Sequence, residues 1–139
     1  MKTEQRSCHP TVTVIHPQSA PPMRHGLPYF FGISEHTAGA RGIAMHLVEI
    51  PPGGKAAPHY HRNFETAIYV LAGRVETRYG AELCESVINE PGSFLYIPPN
   101  VPHQPINLSA TQPALAIVAR NDAREAEDVV VWAPIGSGQ

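Results

Sequence analysis

The sequence predicts an all-β single domain, a sandwich or barrel of many short strands rather than an open parallel sheet. Its 139 residues suit one domain. Its 15 prolines and 11 glycines stand between short apolar runs, which is how tight turns punctuate a chain of strands. Repeated short strands with regular breaks, and no alternation with long helical periods, exclude a doubly wound layout.

Residues 1–30 read as an edge strand, Thr11-Val12-Thr13-Val14-Ile15, followed by an irregular arm with prolines at 17, 21, 22 and 28. Residues 31–139 read as the barrel. Gly42 to Ile50 is apolar on both alternating faces, as expected of a strand lying between layers, and Pro51-Pro52-Gly53-Gly54 ends it. Glu65 to Ala72 and Arg74 to Tyr79 flank Gly73 and read as a hairpin. Its second arm alternates Val75, Thr77 and Tyr79 against Arg74, Glu76 and Arg78. Leu83 to Ile88, Phe94 to Ile97, Ala114 to Ala119 and Val129 to Trp132 complete the strands. One short helix is expected over Asn121 to Asp128, capped by Asp122.

Ten basic and 12 acidic residues give a net charge of −2, which leaves no electrostatic footprint for nucleic acid or an anionic membrane. No apolar run approaches the ~20 residues of a membrane span. No secretory core follows Lys2, which points to the cytoplasm. Cys8 and Cys84 do not make a disulfide framework, and whether they pair is open from sequence. Cys84 has no basic neighbour and reads as a buried, inert thiol. His9, His16, His25 and His36 lie in the irregular first third and read as solvated.

Chemistry concentrates between residues 53 and 107. Gly53 is followed by Lys55-Ala56-Ala57-Pro58-His59-Tyr60-His61-Arg62-Asn63-Phe64-Glu65 and an apolar run closing on Gly73. Gly92 is followed by Pro98-Pro99-Asn100-Val101-Pro102-His103-Gln104-Pro105-Ile106-Asn107. In an extended strand alternate residues share a face, so His59 and His61 point the same way while Tyr60 points opposite. Glu65 keeps that parity if the segment stays extended, and a turn through Arg62 to Phe64 could equally bring it back. His103 follows a proline-braced turn that suits a rigid site. Three imidazoles and a carboxylate can hold Fe(II), Mn(II), Ni(II) or Zn(II) with positions left open.

These two segments resemble the paired motifs of the cupin superfamily: glycine, His-x-His, glutamate and glycine, then glycine, proline, histidine and asparagine. Asn100 stands where the second motif usually has glycine, and asparagine tolerates the left-handed backbone glycine supplies. The resemblance covers roughly residues 40–120. It implies a cupin double-stranded β-helix, a jelly-roll barrel, holding one divalent transition metal through His59, His61, Glu65 and His103. With Glu65 inward, Ala67, Tyr69 and Leu71 share its side, and either Phe94 and Tyr96 or Ser93, Leu95 and Ile97 form a facing wall. The substrate-pocket candidates are His46, Tyr69, Phe94 and Gln104. For His46 a packed structural role stands against a pocket role, and for Gln104 a turn residue bonded to backbone. Arg62 has the wrong parity and Lys55 lies in the preceding loop, so the motifs offer little to hold a phosphosugar.

The implied function is a metal-dependent enzyme on a small molecule, a dioxygenase acting on an enol- or diketone-like apolar substrate, with Glu65 as the residue that moves a proton. A cupin isomerase or polyketide-type cyclase, and a non-catalytic sensing cupin, are the other readings. The β-rich runs at Thr11 to Ile15 and Val129 to Trp132 are edges that could add to a neighbour's sheet, which points to a homodimer.

Overall fold

The computed structural model describes residues 11–20, 25–124 and 129–133. Eleven strands and one short helix follow in order: β1 (Gln18–Ala20), β2 (Tyr29–Ile33), α1 (Glu35–Ala38), β3 (Ala44–Ile50), β4 (His59–His61), β5 (Thr66–Ala72), β6 (Val75–Tyr79), β7 (Glu85–Asn89), β8 (Phe94–Ile97), β9 (His103–Asn107), β10 (Ala114–Arg120) and β11 (Val129–Val131). They form two antiparallel sheets, one ordered β1-β2-β3-β10-β5-β8 and the other β11-β4-β9-β6-β7. This is the expected all-β jelly roll.

The core lies between the sheets and follows the period of two. In β3 and β10 the even-numbered residues Ala44, His46, Val48, Ile50, Ala114, Ala116, Val118 and Arg120 are buried. In β5 the inward set is Thr66, Ile68 and Val70, and Val75 and Thr77 face them from β6. Leu27 and Tyr29 close the cluster from the segment before β3.

Several expectations are corrected. Thr11 to Ile15 forms no strand, and Val12 and Val14 are exposed. The strand of the arm is instead β1, which pairs with β2, and β2 pairs with β3. No alternation reveals β2, because Tyr-Phe-Phe-Gly-Ile is apolar throughout apart from its glycine. Asn121 to Arg124 is not helical, and 125–128 lie outside the described residues. The short helix is α1, opened by a capping box in which Ser34 Oγ accepts from the Thr37 amide and Thr37 Oγ1 accepts from the Ser34 amide. Cys84 is an exposed free thiol rather than a buried one, and Cys8 lies outside the described residues. The Val129 run does form β11, but it pairs with β4 of its own chain.

The largest correction concerns Gly73. The strands it joins are not a hairpin, because β5 pairs with β10 and β8 while β6 pairs with β7 and β9. Gly73 is a corner between the sheets. Its φ of 92° is open to glycine, and an added Cβ would stand 2.7 Å from Ala114 Cα and Cβ. Both the backbone and the neighbouring strand therefore oppose a side chain there. Gly73→Ala should lower stability by about 2 kcal/mol or more, from left-handed strain plus the clash, read as a lower midpoint of urea unfolding. An unchanged midpoint would mean that the corner relaxes freely.

Candidate metal centre

The site is assembled where β4 and β9 meet. The pairing of these strands sets His59 directly across from His103. The period of two keeps His61 on the same face as His59. All three rings are buried, at 3%, 2% and 4% exposure for His59, His61 and His103. The ring centroids are 5.0 Å apart for His59 and His61, 4.4 Å for His59 and His103, and 5.4 Å for His61 and His103. One potential ligand atom from each lies within 4.8 Å of the others.

Two turns fix this meeting. Asn63 and Asn100 both take the left-handed conformation, with φ of 68° and 65°. The Asn63 amide donates to Asn100 Oδ1 at 3.0 Å, and the Asn100 amide donates to the His61 carbonyl at 3.0 Å. The two motifs are thus bolted together at their turns, and Asn100 serves in glycine's place as expected. Asn107, the last anchor of the second motif, is buried and structural. Its Nδ2 donates to the carbonyls of Ile50, Pro51 and Gln112, and its Oδ1 accepts from the Ser109 amide.

The donor chemistry fits a metal ion. His59 Nδ1 lies 2.7 Å from the Ala57 carbonyl and His103 Nδ1 lies 2.9 Å from the Val101 carbonyl. A carbonyl only accepts, so each Nδ1 carries the proton and each Nε2 offers its lone pair. For His61 the Nε2 accepts from the Arg120 guanidinium Nη2 at 3.1 Å, so that nitrogen also presents a lone pair. Burial first, then the neighbouring His103, His25 and Arg120, drives the His59 pKa from 6.5 down to about 2, and the Ala57 carbonyl opposes only in part. Burial also lowers His103 to about 4. Neutral rings converging on one point make a group suited to one divalent transition metal.

Glu65 is not brought to the histidines. The left-handed turn at Asn63 sends Phe64 inward against the His61 ring at 5.4 Å. Glu65 then points out, and Thr66 points in and is buried. The Glu65 carboxylate accepts from Tyr96 Oη at 2.8 Å and from Asn121 Nδ2 at 3.4 Å, while the Glu65 amide donates to Asn121 Oδ1. The inward residues of the strand are accordingly Thr66, Ile68 and Val70 rather than Ala67, Tyr69 and Leu71. Of the two possible facing walls, the one through Leu95 and Ile97 lines the lumen.

The other pocket candidates also sit elsewhere. The rings of Tyr69 and Phe94 meet at 4.7 Å, tilted by 53°, on the outer face of the sheet. His46 is buried on the inward face of β3, its Nδ1 accepting from the Gly32 amide, with Tyr29 and Phe31 against its ring. It is not among the residues that line the cavity. Gln104 Nε2 donates to the Ala56 carbonyl at 3.0 Å, the backbone role rather than the substrate role.

Three lumen residues escaped the sequence. His25 is buried, not solvated. Its ring centroid lies 4.8 Å from that of His59, and its Nδ1 accepts from the Leu27 amide, which leaves the proton on Nε2. Burial, then Arg120 and His103, lowers its pKa to about 3. Tyr29 comes from β2. Arg120 ends β10 in phase with Ala114, Ala116 and Val118, so its guanidinium enters the lumen, also donating Nη1 to Tyr29 Oη at 3.3 Å. The phase was visible in Ala114 to Arg120. Which face it served was not, because the odd positions Leu115, Ile117 and Ala119 are apolar too. The cavity that these residues enclose, about 60 Å³, is otherwise lined by Leu, Val, Ile, Ala and Pro side chains with Thr77 and Asn89.

The Cupin domain family model matches residues 46–120. The chain belongs to the cupin family. Solved cupins share its fold. Lactobacillus farciminis oxalate decarboxylase in a formate complex superposes with a TM-score of 0.69 at 17% identity, over 83% of this chain and 33% of that one. Bacillus subtilis oxalate decarboxylase at pH 4.6 gives 0.67 at 19%, over 81% and 29%. An oxalate oxidase with the substrate analogue glycolate gives 0.62 at 21%, over 71% and 52%. This cupin thus spans between about a third and a half of their lengths. Comparison with curated proteins found no sequence match.

Two outcomes follow from the geometry. Unfolding would return the buried rings of His25, His59 and His103 to an ordinary pKa of 6.5. Below that pH the unfolded chain binds more protons than the folded one. Each ring can therefore cost up to ~1.4 kcal/mol per pH unit until its folded pKa is reached. The melting temperature of the metal-free protein should hold near pH 7 to 8 and fall steadily as pH drops from 6.5 towards 4. A flat profile would contradict neutral buried rings. Separately, Glu65→Gln should retain the parent's metal content, measured by elemental analysis, because its carboxylate stands outside the lumen. Loss of metal would put that carboxylate on the ion.

Proposed function

We propose that this cupin is a metal-dependent enzyme, a dioxygenase acting on a small enol- or diketone-like substrate held against one metal ion on His59, His61 and His103. The observation that carries the reading is the convergence of three buried imidazoles beside a cavity lined mostly by apolar side chains. The ion would supply Lewis-acid or oxygen-activating chemistry. The chain supplies the rest. Nδ1 bonds to backbone carbonyls fix the rings of His59 and His103, so that little reorganisation accompanies binding. Apolar walls from β5, β8 and β10 exclude water and strengthen every charge interaction inside. His25, with its proton on Nε2, and the Arg120 guanidinium both line this lumen.

Cavity size discriminates among the readings. Ligand pockets for drug-sized molecules run to about 300 Å³ and more, against about 60 Å³ here. A polyketide-type cyclisation, which must fold a long chain, does not fit that space. The solved neighbours named above are described with oxalate, glycolate and formate, molecules of the right size. One of them, B. subtilis oxalate decarboxylase, is described with Mn(II) centres, which supports Mn among the candidate ions.

Elemental analysis of protein purified without chelators should give about one transition metal per chain. His59→Ala combined with His61→Ala should abolish it, and equal metal in both proteins would sink the assignment. Oxygen uptake by the iron- and manganese-loaded protein with small diketones and oxo acids then tests catalysis. Tight binding without any turnover across that panel would favour a sensing role.

We also propose that the chain dimerises, by another surface than the edge runs. The outer face of the six-stranded sheet carries Met45, Leu71, Phe94 and Tyr96, all exposed, with Phe94 80% exposed. Burying such a face is the ordinary remedy for an apolar sheet surface. Light scattering at micromolar concentration should give twice the chain mass of 15.1 kDa, and Phe94→Lys should return it to one. A parent that scatters as 15.1 kDa would end the idea.

A further inference from the structure

We infer that the substrate of this site carries an aryl or branched alkyl group, which lies outside the lumen in a cleft between the free edges of the two sheets. The inference rests on the metal and diketone reading above and deepens it by naming a second part of the substrate and the residues that hold it.

Among the described strands, β7 and β8 are the last of their sheets at this end, β7 paired only with β6 and β8 only with β5. Val87 of β7 stands directly across from the buried Thr77 and two residues before the buried Asn89, so it lies on the inward face of its strand. It is nevertheless 37% exposed. Leu95 of β8 also points inward and is only half-buried. Inward aliphatic side chains that stay open to water are core positions short of a packing partner. Both line a cleft of about 240 Å³, with Pro98 and Val101 from the turn before β9.

Continuity with the metal centre decides the occupant. Thr77, Leu95, Ile97 and His103 line both the cleft and the lumen, so the two spaces share a wall, and one member of that wall is a candidate metal ligand. A substituent on a metal-bound head therefore has the cleft beside it. Size assigns the parts. An apolar cavity of about 150 Å³ takes up a benzene ring. The lumen, at about 60 Å³, is too small for one, and the cleft is large enough. Chemistry agrees, because no Asp, Glu, Lys or Arg is among the described residues that line the cleft. Of its three hydroxyls, that of Thr77 donates to Asn89 Oδ1 at 3.1 Å and that of Tyr96 to Glu65 Oε1 at 2.8 Å, which leaves only Tyr79. A charged or strongly polar substituent would lose water there without regaining its hydrogen bonds. An apolar one would complete the packing of Val87 and Leu95.

The test uses cobalt(II) as the metal probe, whose visible absorption reports histidine ligation and the arrival of further ligands, with retention of cobalt on the protein checked by gel filtration. The ligand probes are acetylacetone, a diketone with two methyl ends, and benzoylacetone, in which a phenyl replaces one methyl. In the parent, benzoylacetone should perturb the spectrum at a concentration at least ~10-fold below acetylacetone, the order expected when a buried ring replaces a methyl. Val87→Asp puts a charge in the cleft and Val87→Trp fills it. Both variants should take up cobalt as the parent does, since Val87 stands on an edge strand away from the three histidines, and both should lose the preference for benzoylacetone. Equal affinity for the two diketones in the parent, or a preference that survives in both variants, overturns the cleft while leaving the metal and diketone reading in place. A parent that takes up no more cobalt than the His59→Ala, His61→Ala variant, or a cobalt spectrum that neither diketone perturbs, overturns that reading and this inference with it. Light scattering that found Val87→Asp at half the parent's mass would make the seam a contact between two copies instead.

Discussion

Everything in this barrel depends on the pairing of His59 across from His103. The two residues stand 44 positions apart in the chain, and the strands that carry them belong to separate motifs. Closing that gap requires the chain to leave one sheet after β4, cross to the other for β5, turn back at Gly73 for β6 and β7, cross out again for β8, and return for β9. Gly73 makes one of those corners. The Asn63 and Asn100 turns make the last approach, each using a left-handed residue and each bonded to the other's segment. Asn107 gathers the loop ends behind β9. The motif residues that are not ligands are thus the joints that let two distant strands lie side by side.

A second layer of organisation is electrostatic. Burial keeps the imidazoles neutral, and a cation is placed among them where an acid would have been expected. Glutamate faces solvent while arginine faces the lumen.

The strands that carry the motifs were legible because glycine, proline and apolar runs mark their ends clearly. The three histidines were legible because period two and the turn residues constrain them independently of the rest of the fold. Glu65 was not, because its direction depends on φ at Asn63, and a single left-handed residue reverses parity without leaving a trace in the pattern of apolar residues. The hairpin expected across Gly73 failed for a related reason. A glycine between two β runs marks a change of direction, but whether the chain pairs with itself or passes to the opposite sheet is decided by partners far away in sequence. Arg120, Tyr29 and His25 were hidden by non-local pairing as well. Arg120 and Tyr29 are placed by their neighbours in the sheet, and His25, in the turn before β2, is placed by the Ala57 amide that donates to its carbonyl.

The edge of β4 has a further consequence. This three-residue strand carries two of the three histidines, yet it meets β9 at one residue pair and β11 at three. The family match ends at Arg120, and β11 begins nine residues later at Val129. A fragment trimmed to the recognisable domain would retain every ligand and still strip the strand bearing two of them of most of its hydrogen-bonded support. The minimal unit for expression, crystallisation or grafting this site onto another scaffold is accordingly set by a tail that carries no motif of its own.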